Sequence, residues 1–168
     1  MLPRNGRVSV RSSLKSGAFL RLGAGLLTVL SVLAGADEAR ALDRVRATYL
    51  MRCGGCHGVE GVSGPTFVPE LRDHVGTYLC SPEGRAYIVQ VPNVSMSLIR
   101  DDALLAQVMN FVVFDLGGAS TPAGAKPYTA QEVHELRQHP LHPTEFERAR
   151  AGVLERTLAA CAAKNAGH

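Results

Sequence analysis

The sequence predicts an all-α fold, and three observations carry that reading. Helix-start signals recur along the chain at Ser81-Pro82-Glu83, at Asp101, at Thr129 with Glu132, and at Thr144 with Glu147. Behind them, apolar residues return every three or four positions: Leu105, Val108, Met109 and Val112, then Phe146, Val153, Leu154, Leu158 and Cys161. Finally, hydrophobic residues make up 46% of the 168 residues, yet aromatics are only 5% and Trp is absent. A small helical core of that composition leaves room for a prosthetic group to supply apolar bulk.

Three regions are expected. Residues 1–41 read as a secretory signal peptide. Arg4, Arg7, Arg11 and Lys15 form its basic start, and Leu22 to Gly35 its apolar stretch. Ala39-Arg40-Ala41 offers a cleavage site before Leu42, with Ala34-Gly35-Ala36 as a second. The apolar stretch falls short of the roughly 18–20 residues a membrane span needs, so contact with a membrane is expected only if the leader stays attached. Residues 42–118 form the main helical domain, and 119–168 a linker with a C-terminal helical extension.

Within the domain, Asp43 is expected to cap a helix from Arg44 to Met51. Residues 58–80 are mostly loop, given Gly61, Gly64, Pro65 and Pro69. Ser81-Pro82-Glu83 starts a helix that stops at Pro92, although Tyr87 to Val91 is rich enough in β formers for a short strand. Asp101 caps a helix closed by Gly117 and Gly118. Ala119 to Pro127 is a Pro/Gly/Ala linker. The Thr129 helix ends near Pro140, and the last helix follows Thr144.

The formal net charge is +3 over the whole chain, but the leader holds six of the 18 Lys/Arg and only two of the 15 Asp/Glu. The rest has twelve basic and thirteen acidic residues. No clustered basic face is left for nucleic acid.

Cys53-Gly54-Gly55-Cys56-His57 is C-x-x-C-H, the attachment pattern of haem c. Two thiols at this spacing reach the two vinyl groups of one haem and form thioethers, while the adjacent His reaches the iron. A thioredoxin-like redox pair would want a βαβ setting, and a zinc site would want a second ligand pair; the sequence offers neither. Cys80 and Cys161 stand apart. In an oxidising compartment they are the candidate disulfide, worth roughly 4 kcal/mol at this loop length.

From Tyr49 to about Leu116 the chain resembles the class I c-type cytochromes. The likeness rests on Tyr49-x-x-x-Cys53-x-x-Cys56-His57-Gly58 and on the loop Gly58 to Pro65. It implies a small cytochrome c-like helical domain wrapped around one covalent haem, with His57 as proximal iron ligand and the Pro65 carbonyl orienting its ring. It implies a distal Met on the loop before the last core helix. Met96 has that position, though Ser97 follows it where the family commonly has Pro. His74 is the rival ligand. An aromatic from the 101–116 helix, Phe111, is expected against the first helix.

These residues predict a one-electron carrier in the periplasm, not an enzyme. Its partner would be another exported redox protein such as a dehydrogenase or terminal oxidase, meeting a haem edge ringed by residues such as Arg52, Gly55 and Ser95. The alternatives are a haem enzyme or gas-binding sensor with an open distal site, for which His74 would be the distal group, and a haem subunit of a larger oxidoreductase complex.

Overall fold

A computed structural model describes residues 44–166. The expected leader, its cleavage sites, the Asp43 cap and His168 lie outside the described residues. Within them, all regular structure is helical. None of these helices is long and apolar enough to cross a membrane.

The first helix, α1, covers residues 44–57 and so runs through the C-x-x-C-H motif instead of ending at Met51. It begins α-helical, widens into a π segment over Leu50–Gly54, and closes with a last α turn, Gly55–His57. Val45, Thr48 and Tyr49 are its buried side. Gly58 ends it at φ 78°, where a Cβ would run into the Val62 carbonyl. Only glycine takes that backbone cheaply. The following loop is pinned where the Gly61 carbonyl accepts from Leu71 N–H (2.8 Å) and Arg72 N–H (3.0 Å).

A 3₁₀ turn, Val75–Cys80, leads into α2, Pro82–Gln90. Ser81 Oγ accepts from Gly84 N–H and Pro82 opens the first turn, which resolves the strand alternative for Tyr87 to Val91. A strong start signal and the burial of Tyr87, Ile88 and Val89 against neighbouring helices override their β propensity. Pro92 stops α2 and at once begins a four-residue helix, α3, Pro92–Ser95. Asp101 Oδ1 accepts from Ala103 N–H at 2.9 Å and starts α4, Asp102–Asn110, which continues as a π segment, Phe111–Leu116. Leu105, Val108, Met109, Val113 and Leu116 form the centre of the core with Tyr49 and Val89. Phe111 meets the Tyr49 ring edge-on, centroids 5.4 Å apart, so the expected aromatic contact with α1 is present.

The tail folds back over this core. Asn110 exchanges two hydrogen bonds with the Tyr128 backbone (3.0 and 2.7 Å), and the Tyr128 hydroxyl donates to the Arg85 carbonyl at 2.7 Å. Thr129 Oγ1 caps α5, Ala130–Arg137, through Glu132 N–H. The Glu132 carboxylate does not complete a capping box; it takes Arg85 of α2 in a two-point ion pair of 2.5 and 2.8 Å. The Thr144 hydroxyl likewise meets His142 Nδ1 and not the next helix. That helix, α6, is Phe146–Ala166. Its inward stripe passes through Val153 and Thr157, while Leu158 is exposed. Thr157 is buried because its hydroxyl has a partner, Ser81 Oγ, at 3.0 Å. Cys80 and Cys161 form the expected disulfide, Cα atoms 5.1 Å apart, across 81 residues of sequence.

Candidate functional site

Cys53, Cys56 and His57 stand at i, i+3 and i+4 on the end of α1, spacings that share one helix face. Cys56 is exposed, Cys53 is partly buried, and both thiols are free. Burial pushes the Cys53 thiol up, with the neighbouring Cys56 adding to it. At neutral pH that sulfur is therefore held as S–H, and it is not a nucleophile tuned for thiol exchange. That is the opposite of what a C-x-x-C redox pair requires.

The His57 ring is fixed from one side. Its Nδ1 lies 2.9 Å from the Pro69 carbonyl oxygen, so Nδ1 carries the proton and Nε2 is the nitrogen available to a metal. The proline in this role is Pro69, not the expected Pro65, which is exposed. The loop between them is folded on itself: Ser63 Oγ donates to the Val68 carbonyl and Thr66 N–H to the Gly64 carbonyl. That local fold brings the second proline to the ring. Tyr49 secures the other side of the helix end, its hydroxyl donating to the Gly58 carbonyl at 2.7 Å. Burial, with the charges of Cys53 and Glu60 adding, pushes that phenol up to about 12.

Met96 follows α3 directly and is 55% exposed. Met109 is buried in the core. His74 is exposed, with Nδ1 2.6 Å from the Arg72 carbonyl. Ser95, expected near a haem edge at the surface, is instead buried, its hydroxyl donating back to the Gln90 and Val91 carbonyls.

Four features fit a large flat apolar cofactor joined at the thiols. Leu50, Met51, Val59, Val62 and Phe67 around the motif, and Met96 itself with nearby Leu98, are all exposed. Scattered apolar exposure is normal, but here it gathers in the segments on either side of the candidate ligands. Next to Met96, Ser97 Oγ is buried and has no hydrogen-bond partner among the described residues, which leaves room for a polar group brought in from outside them. Both motif thiols are unpaired while the other two cysteines are bonded. Among the described residues, no three His, Cys, Asp or Glu side chains gather to hold a metal ion by themselves. A metal at His57 has to bring its own ligand frame, as haem iron does.

Two curated relatives match. One, a cytochrome c-552 of Thermus thermophilus, is 31% identical over 156 aligned residues that cover 81% of this chain and 95% of the relative. The chain belongs to the c-type cytochromes. A second cytochrome c-552 of Thermus thermophilus is 30% identical over 127 residues, covering 64% of this chain and 96% of its own. No family model matches, and no solved structure matches significantly. As a c-type cytochrome the chain is an electron-transfer protein carrying haem iron, and its helical fold agrees with that family.

Proposed function

We propose that this cytochrome carries one haem c, joined by thioethers at Cys53 and Cys56, and passes single electrons between exported redox proteins in the periplasm. The observation that supports it best is the end of α1: two free thiols and an imidazole on one helix face, the imidazole held through Nδ1 by the Pro69 carbonyl, which leaves Nε2 as its metal-binding nitrogen. Bound haem supplies the one-electron iron couple. Each thiol would add its S–H across one vinyl group of the haem, with no atom lost.

The chain does the rest. Cys53 and Cys56 keep the cofactor from dissociating outside the cell. His57 would hold the iron through Nε2, and the Pro69 carbonyl holds its tautomer and makes it a better donor. Met96 would hold the iron with its sulfur, and a His–Met pair would raise the potential relative to bis-His ligation. The exposed apolar residues around the motif would give the cofactor apolar contacts. With twelve basic and thirteen acidic residues after position 41, charge steering is weak, and encounters with a dehydrogenase or terminal oxidase are brief and small in area.

Redox titration with optical spectra tests the ligand set. Wild type should show the weak long-wavelength Met–iron band, and Met96→Ala should lose it with a fall in midpoint potential. A wild-type spectrum that is high-spin and changes readily with CO favours an open distal site and contradicts the carrier reading.

A further inference from the structure

Arg137 ends α5, in the tail, yet the hydrogen-bond acceptors of its guanidinium all belong to the segment that carries Met96. Nε donates to the Ser95 carbonyl at 3.1 Å; Nη1 donates to the Ile99 carbonyl at 3.1 Å and to Asp102 Oδ1 at 2.8 Å. Ser95 precedes Met96 by one residue, Ile99 follows it by three, and Asp102 begins α4. One planar fork therefore ties both feet of the arc 95–99 to the start of the next helix. Ser95 and Ile99 are buried at those feet, and Met96 and Leu98 project between them.

The arc has little else to hold its second half. Met96 N–H and Ser97 N–H reach back to the Pro92 and Val94 carbonyls. Among the described residues, 98–100 make no backbone–backbone hydrogen bond. The Arg137 side chain is only 9% exposed, so its bonds are shielded from water and from salt. Asp102 completes the clamp, and its carboxyl is held below the usual range first by Arg137 and then by His134, whose Nδ1 is 2.7 Å from Oδ2. The arrangement needs the fixed fork of arginine; a lysine ammonium cannot span two carbonyls and a carboxylate in one plane.

We propose that Arg137 is a positioning residue for the sixth iron ligand, through which the tail sets how firmly the Met96 sulfur stays on the iron. The proposal rests on the reading of Met96 as distal ligand. Arg85 provides the matched comparison: it also binds the tail, through Glu132 of α5 and the Lys126 and Pro127 carbonyls just before that helix, but it does not touch the arc.

The test uses the holoprotein of wild type, Arg137→Met, Arg137→Lys and Arg85→Met. Imidazole competes for the sixth position of ferric haem, and its apparent affinity scales with the fraction of molecules in which the methionine is off. Arg137→Met should bind imidazole at least tenfold more tightly, weaken the Met–iron band and lower the midpoint potential. Arg137→Lys should fall between it and wild type, and serves alone if Arg137→Met does not accumulate. Arg85→Met should lower the thermal midpoint with imidazole affinity unchanged. The clamp is overturned if the Arg137 variants stay within twofold of wild type in affinity, or if Arg85→Met shifts affinity by the same factor. Failure of the ligand reading has its own signature: no Met–iron band in wild type and no spectral change in Met96→Ala.

Discussion

Replacing both Cys80 and Cys161 by Ala should cost this cytochrome about 4.5 kcal/mol. The two residues are 81 apart, and closing a loop of that length lowers the entropy of the unfolded chain by an amount worth about 4.5 kcal/mol at 25 °C on the chain-entropy model. The native state loses little in exchange. α6 keeps its other ties: Thr157 on Ser81, the Tyr87 hydroxyl on the Phe146 carbonyl at 3.0 Å, buried Val153, and the exposed Arg156–Glu83 pair. Guanidinium titration of wild type and the double variant, followed by far-UV circular dichroism, measures the difference. The midpoint should fall, with a thermal midpoint lower by roughly 10–20 °C. The slope should rise, because an unfolded chain freed of its cross-link exposes more surface. A loss under about 1 kcal/mol with an unchanged slope would mean that the cross-link does not constrain the unfolded chain. A two-step transition in which α6 melts first and the core keeps wild-type stability would mean that the cross-link acts only locally.

Tyr49→Phe removes the donor to the Gly58 carbonyl without changing the shape of the buried ring, and should cost about 1–2 kcal/mol in the same titration. Burial pushes Tyr49 and Tyr87 up to about 12 from an unfolded value near 10. Both phenols therefore stabilise the fold fully below about pH 10, and that contribution drains away as pH rises toward 12; unfolding midpoints measured from pH 9 to 12 should fall over that window, less steeply in Tyr87→Phe. Gly76→Ala should be severely destabilising, since a Cβ would lie 2.6 Å from both the Cα and N of Thr121, contacts with backbone that has no room to move. Gly55→Ala, with nothing within 4 Å of its Cβ, is its control and should leave stability within about 0.5 kcal/mol of wild type.

The helices were largely legible because their signals are local. Ser81 and Asp101 cap where they stand, and the Leu105–Val112 periodicity is a direct image of the buried face. Local signals failed where a distant charge or a buried partner decided the outcome. Glu132 has the spacing of a capping box but is drawn to Arg85, 47 residues away. The inner stripe of α6 runs through Thr157, which hydropathy reads as outward, because Ser81 satisfies its hydroxyl. The motif residues of the site were legible from C-x-x-C-H alone. The proline behind His57 was not: Pro65 and Pro69 are equivalent in sequence, and only the folding of the loop between them selects the second. Arg137 carried no signal at all, since its three acceptors lie 35 to 42 residues away and two of them are backbone carbonyls.

Cys53 and Cys56 are proposed to join one haem to this chain. Intact mass and an alkaline pyridine spectrum, taken after acid–acetone extraction of protein made in cells that mature c-type haem, test it most directly. One haem should stay on each wild-type chain and none on Cys53→Ala/Cys56→Ala. A colourless wild-type protein of unmodified mass, with both thiols open to alkylation, would contradict it.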